Sequence, residues 1–391
     1  MSAVRRAGRR GAKPGAGRAP RLRSSFVGVY GLLGLAVLIF VLFSLLLPGT
    51  FPTGTNIRAI LTNQSIPAVL ALGATIPIVT GRFDLSIGFG IGLAHVAAMW
   101  LIAEHGVPWP LVAVLVLTGG VVVGLLNGLL VEFAQIDSFI ATLGTGSILY
   151  GLTGWITGGA RIVPGPHGLP GGFTNLTNAD FLSLPITFWY VLAIAFVLWL
   201  CLEHLPAGRY LYVVGANPRA AELVGIPRRR VVISAFVGSG AVTAFAGVLL
   251  AAQQQIGDPS AGSAYLLPAF VGALLGSTTI KPGRANAAGT LVAVAILAIG
   301  LSGLQEEGAA FWVTPLFNGF TLLAAVGMAG YAARRRQHAG SVVGADARSG
   351  RPGQGVRVDV RPGDRPGRQR GPRKGREPGT TDEDAAMRVP R

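Results

Sequence analysis

AGRYLYVVGANPRAAELVGIPRRRVV, residues 207–232, separates two apolar spans in the middle of the chain and carries five arginines: Arg209, Arg219, Arg228, Arg229 and Arg230. Its centre reads as a short capped helix. Asn217 suits an N-cap and Pro218 the first helical position. Ala220, Ala221, Glu222 and Leu223 are helix formers, Gly225 suits a left-handed stop, and Pro227 follows just beyond it. A membrane protein that folds a helix into such a loop presents it to a partner, or else the loop is a solvated basic connection obeying the positive-inside rule. Spacing alone leaves both readings open.

Composition decides the class around this loop. The chain has 391 residues, 51% hydrophobic, 13% charged, with 57 glycines. That composition belongs to a polytopic membrane protein. The net charge of +16 suggests nucleic acid, but its placement argues otherwise. Of 33 Lys and Arg, eight lie in the first 23 residues and fifteen from Arg334 onward. Basic tails at a membrane surface meet anionic headgroups, so the partner expected for them is the membrane and no nucleic acid is implied. The single cysteine, Cys201, excludes a disulfide framework and a cysteine-based metal site.

Residues 1–24 and 337–391 are Arg/Gly/Pro-rich and are expected to be disordered cytoplasmic tails. Between them, 25–336 reads as one transmembrane domain with a cytoplasmic loop at 203–231. The run Phe26–Leu47 is longer than a signal-peptide core and lacks a small-residue cleavage site, so it is expected to be the first span. Further apolar segments lie at 59–80, 85–103, 109–133, 138–157, 184–202, 232–252, 264–276, 286–304 and 311–332. This predicts an all-α protein of about ten spans with both termini inside. On that count, eight basic residues fall on inner connections and only Arg58 and Arg161 on outer ones. The 264–276 piece, with Pro268, is too short to cross about 30 Å of hydrocarbon as a straight helix. It reads as a half-helix or as a tilted, partly interfacial one. Gly120, Gly124 and Gly128, and Gly88 with Gly92, recur every four residues and predict close helix packing. The linker 158–183 suits an ordered external loop or a re-entrant excursion.

Little in the chain suggests catalysis. There is no GxxxxGK[ST] phosphate loop, no HExxH and no nucleophile elbow, and the five histidines are scattered. Asp84, Glu132 and Asp137 lie at inner helix ends and not at mid-span, which counts against a proton- or sodium-coupled carrier. His95 is mid-span, where a bond to a backbone carbonyl is expected ahead of a proton relay. Asp84 suits an N-cap for the third span, with Ser86 sharing the orphan N–H groups.

TGRFDLSIGFGIG (80–92) resembles the GGxDLSVG signature of carbohydrate-type ABC transporter permeases, the ribose/xylose/arabinose/galactose group. GLLNGLLVEFAQIDSFIATLGTGSILYGL (124–152) resembles that family's NGLLV…FIxTLGT block. VVGANPRAAELVGIPRRRV (213–231) resembles its coupling segment, GxNxxAAxLxGI. GSTTIKPGRANAAGTLVAVAILAIGLSGL (276–304) and FWVTPLFNG (311–319) resemble its C-terminal blocks. The matches run in order from about residue 50 to 332. The departures are Arg82 and Phe83 before the DLS element, Asp137-Ser138 for the usual proline pair, Ser277 for a glycine, and Lys281-Pro282 in a glycine-rich turn.

The resemblance implies a permease subunit, not an enzyme, in a bacterial plasma (inner) membrane. It implies a second copy of the chain, a separate ABC ATPase that holds ATP and Mg, and an extracytoplasmic solute-binding protein that delivers a monosaccharide. This chain itself would bind no cofactor or metal. Asn217, Pro218, Ala221, Glu222 and Gly225 would then couple to the ATPase, and Asp84, Leu85, Ser86 and Gly88 form the family motif. A path for neutral sugars needs hydrogen-bonding groups more than ion pairs. Gln64, Ser65, Asn127, Thr142, Thr145 and Ser147 are candidates for it, although hydroxyls in helices often bond their own i−4 carbonyl. The alternatives are a permease of the same superfamily for branched-chain amino acids or nucleosides, a self-contained secondary carrier or channel, and a membrane scaffold without transport.

Overall fold

The computed structural model describes residues 22–327, with side chains from Tyr30. The two tail segments expected at 1–24 and 337–391 therefore lie almost wholly outside the described residues. The helices are α1 (Leu22–Leu46), α2 (Gly54–Val79), α3 (Ser86–Met99), α4 (Trp109–Glu132), α5 (Ser138–Thr157), α6 (Gly171–Asn178), α7 (Ile186–Glu203), α8 (Pro206–Ala216), α9 (Pro218–Leu223), α10 (Arg228–Gln254), α11 (Ser263–Gly276), α12 (Ala287–Glu306) and α13 (Val313–Gly327). A π turn, Trp100–Glu104, prolongs α3. The two-residue strands β1 (Asp180–Phe181) and β2 (Leu184–Pro185) form one antiparallel hairpin.

Among the described residues, seven helices are long and apolar enough to cross a membrane: α2, α3 with its π turn, α4, α5, α7, α10 and α12. Three shorter apolar helices accompany them, Tyr30–Leu46 within α1, Ser263–Gly276 and Val313–Gly327. The fold is thus all-α and polytopic, as composition predicts. With 14 residues, α11 spans about 21 Å. Its Ala269–Ala273 stretch is buried against α12 and α2, so it is a short packed helix.

The middle of the bundle is α10, packed on α4, α3 and α2. The glycine spacing explains how it fits. A Cβ on Gly124 would lie 2.3 Å from the Phe236 carbonyl oxygen, and one on Gly120 2.4 Å from that of Gly240. Facing them, a Cβ on Gly240 would meet the Gly120 carbonyl at 2.2 Å. Backbone therefore touches backbone along the α4–α10 seam. Gly88 and Gly92 serve a second close approach, where Gly262 at the start of α11 nests against both.

The 158–183 linker is ordered. Ile162 and Gly257 exchange both backbone hydrogen bonds, at 2.9 and 2.8 Å. Arg161 pairs with Asp258 at 2.9 Å, and Arg58 holds Asp180 at 2.6 Å. Hydrogen bonds from the Ser260 hydroxyl and amide, and then the Arg161 charge, keep the Asp258 carboxyl below its usual range. A carboxyl depressed in the folded state contributes stability above its unfolded value and loses it as pH falls through the depressed one. Amide protection at Ile162 and Gly257, corrected for intrinsic exchange, is therefore expected to hold from neutral pH to about pH 5 and to fall only on stronger acidification. Protection lost already between pH 7 and 6 would contradict this.

Candidate functional site

The loop between α7 and α10 folds into two helices. The second follows the sequence closely. Asn217 caps α9 by accepting the Ala220 N–H at 3.0 Å, Pro218 opens it, and Gly225 turns left-handed with φ +81°. Ala221 is fully buried on the bundle side, while Leu223 and Val224 are 88% and 73% exposed. Leu223 and Val224 thus form an exposed apolar pair on the open side of a helix whose other face is anchored. The first helix, α8, was not expected. Its buried Gly208, Leu211 and Val214 recur every three residues and seat it on the bundle. There Gly215 allows contact with the end of α2, since a Cβ would lie 2.1 Å from the Val79 carbonyl. Tyr212 on α8 donates its hydroxyl to the Ala285 carbonyl at 2.7 Å, and the Arg284 guanidinium lies 3.9 Å from its ring centre.

Behind α9 is a charge cluster. Glu222 accepts a 2.6 Å bond from Arg228 Nε. Arg228 Nη2 also lies 3.2 Å from Oε2 of Glu132, at the end of α4. Oε1 of Glu132 lies 3.5 Å from Arg82, in the turn between α2 and α3. Glu132 is wholly buried, and neither of its oxygens accepts a well-formed hydrogen bond. Arg229 stacks on Phe133 at 5.1 Å.

Two residues beyond Arg82, Asp84 organises a buried polar network. The sequence suggested an N-cap, but the helix begins one residue later than that role requires, at Ser86, with Leu85 in the cap position. Asp84 Oδ1 still accepts the Ser86 N–H at 3.1 Å and the Ser86 hydroxyl at 2.5 Å. Its Oδ2 accepts the Ser239 hydroxyl of α10 at 2.8 Å. Ser86 Oγ in turn accepts from Asn127 Nδ2 at 2.8 Å, and Asn127 Oδ1 accepts from Thr145 at 2.6 Å. Thr142 Oγ1 accepts the Leu85 N–H at 2.9 Å. One carboxylate therefore links α3, α4, α5 and α10. Gly88, within the first turn of α3, faces Leu266.

The remaining polar candidates separate by geometry. Ser65, Thr142, Thr145 and Ser147 each bond their own helix at i−4. Asn127, Thr142 and Thr145 are engaged within the Asp84 network. Gln64 lines an open polar cavity of about 340 Å³ with Asn56, Asn63, Ser302, Gln305 and Glu306. Through Asn63 and Gln64 it adjoins a smaller cavity of about 170 Å³ bordered by Tyr265, Thr314 and Asn318. His95 departs from expectation: its Nε2 accepts the Asp258 N–H at 3.0 Å instead of donating to a carbonyl.

Residues 56–326 match the family model described as branched-chain amino acid transport system / permease component. The chain belongs to this family. The permease is 32% identical over 260 residues to the autoinducer 2 import system permease protein LsrD of Escherichia coli strain SMS-3-5 / SECEC, covering 66% of this chain and 78% of that protein. The LsrD proteins of Escherichia coli K12 and of Shigella flexneri match at the same identity and coverage. No solved structure matches the chain. The matched region contains α9, the charge cluster and the Asp84 network together. The match establishes a permease subunit of an ABC importer, in accord with the resemblance of the carbohydrate-type blocks. Within the matched region, sequence reasoning missed Ser239 as a partner of Asp84, and both arginines of Glu132. A serine in mid-span and a basic residue in a basic loop carry no local signal of such partners.

Proposed function

We infer that the permease is the membrane-spanning subunit of an ATP-driven importer that translocates a monosaccharide delivered by an extracytoplasmic binding protein. About ten membrane segments are assigned, the seven long helices together with α1, the short α11 and α13, with both termini on the cytoplasmic side of a bacterial plasma membrane. Two copies form the path. ATP and Mg bind a separate ATPase, which docks on α9 through the segment holding Asn217, Pro218, Ala221, Glu222 and Gly225. The Asp84–Leu85–Ser86 turn and Gly88 form the base on which α3 pivots. Gln64 and Ser65 belong to the solute path, while Asn127, Thr142 and Thr145 serve it by holding α3, α4 and α5 in register.

The substrate reading rests on the polar cavity at the start of α2. Its neutral polar lining is amide and hydroxyl, beside the apolar Ala59 and Ile60, and Glu306 is its one charged residue among those described. A zwitterionic amino acid needs a cation and an anion placed together, whereas a neutral polyhydroxy solute needs donors and acceptors without net charge. That favours a sugar over a branched-chain amino acid. Uptake of labelled monosaccharides by cells carrying the importer tests this. Saturable sugar uptake that resists excess leucine, isoleucine and valine is expected, and competition by those amino acids would overturn the sugar assignment. Gly225→Val tests the docking segment. At φ +81° a β-branched residue costs roughly 1–3 kcal/mol, so uptake is expected to fall strongly while membrane insertion persists. Normal uptake would count against α9 as the ATPase contact.

A further inference from the structure

Glu132 is an unusual buried acid. It sits at the inner end of α4 with no exposed side-chain surface, between one arginine from the turn before α3 and one from the start of α10. A buried carboxylate must be paired, and the arginines satisfy that need. The two contacts are nonetheless loose. At 3.5 and 3.2 Å they exceed the usual 2.7–2.9 Å of charge-assisted bonds. Arg228 instead makes its short bond, 2.6 Å, to Glu222 on α9. Arg228 is therefore held more firmly by the exposed helix than by the buried acid.

We propose that Glu132 is a positioning residue that transmits displacement of α9 to the Asp84 turn, through Arg228 on one side and Arg82 on the other. When α9 moves away from the bundle, its short bond carries Arg228 with it. Glu132 then loses half its compensation in a low-dielectric site, where an unpaired charge is strongly disfavoured. It recovers that by drawing in Arg82, which is 29% exposed and has room to move inward. Arg82 lies two residues before Asp84, whose Oδ2 reaches Ser239 on α10. The shift thus arrives at the junction of α3 and α10 in the middle of the bundle. This rests on the assignment of α9 as the ATPase contact and adds the route by which its movement enters the bundle.

The test is hydrogen exchange on the purified full-length permease. The reporters are the Phe83 and Leu85 amides, which donate to Ser138 and Thr142. Glu222→Gln removes the charge that holds Arg228 by its short bond and leaves the buried Glu132 in place. It is expected to raise exchange at these two amides about threefold, within the range that a partly exposed ion pair is worth. In a Glu132→Gln background the same substitution is expected to do nothing there, because the link is already cut. Should Glu132→Gln fail to fold, Arg82→Gln supplies the second background and the same silence is expected. Equal effects of Glu222→Gln in the wild-type and either background would overturn the relay, and so would no effect in the wild type. A simple structural clamp gives additive loss of protection across all inner helix ends, not this non-additive pattern at Phe83 and Leu85. An α9 that binds no ATPase would remove the docking assignment while leaving the exchange result as it stands, so the two failures are distinct.

Discussion

Gly124→Leu is expected to abolish the folded permease. The Cβ alone would sit 2.3 Å from the Phe236 carbonyl oxygen and 2.9 Å from the Val237 Cα. Those are backbone atoms of α10, so no rotamer change relieves the clash. Across the seam Gly240 is equally constrained, with Gly120 and Gly124 both within about a carbon diameter of any added Cβ. Overpacking of an adaptable core costs roughly 1–3 kcal/mol. Here the two helices must separate along the seam, and α10 also carries the contacts to α2 and α3, so the loss is expected to exceed that range. The measurement is the yield and thermal midpoint of monodisperse protein in mild detergent. Gly119→Leu, one residue away and facing open space, is expected to behave like the wild type. A stable, transport-competent Gly124→Leu protein would contradict the packing of α4 on α10.

Replacing Asp84 is expected to have the second-largest effect, and its size depends on the replacement. In Asp84→Leu the Ser86 N–H, the Ser86 hydroxyl and the Ser239 hydroxyl lose their acceptor inside the bundle. Each abandoned buried donor costs roughly 1–3 kcal/mol, although hydroxyls that rotate to a nearby carbonyl recover part of it. Asn127 and Thr145, bonded one and two steps further on, would lose their fixed orientation as well. Asp84→Asn keeps Oδ1 for both Ser86 donors and turns an amide toward Ser239, whose hydroxyl is able to accept. The thermal midpoint is therefore expected to fall steeply for Asp84→Leu and slightly for Asp84→Asn, with uptake retained only by the asparagine variant. Equal losses in both would mean that the charge of Asp84, and not its acceptor geometry, is what the bundle needs.

What the sequence disclosed, and what it concealed, follows the range of the forces involved. Asn217, Pro218 and Gly225 were legible because a cap, a first-turn proline and a left-handed stop are settled within a few residues. The glycines of α4 were legible as a ladder, and the apolar spans as lengths. The α8 helix was hidden by its two aromatic residues and an arginine, although Gly208, Leu211 and Val214 mark its buried face. The Asp84 network was concealed because Ser239 lies 155 residues from Asp84 and Asn127 lies 41 from Ser86. Glu132 looked like an ordinary acid at a helix end, since nothing near it shows that Arg82 and Arg228 converge there. His95 was misread in its bonding because its partner, the Asp258 amide, belongs to a loop 163 residues on. The path candidates were selected by residue type, and only Gln64 among them lines the open polar cavity.

The central claim is that this permease works through a separate ATPase seated on α9. The most direct test is purification of the tagged chain from its own host in mild detergent, with a photo-crosslinker placed at the exposed Leu223. Recovery of a nucleotide-binding subunit in stoichiometric amount, crosslinked at that position and bound less in Gly225→Val, is the predicted result. Recovery of the chain alone, with no ATPase crosslinked at Leu223 and vanadate-insensitive solute flux, would contradict it and point to a self-contained carrier.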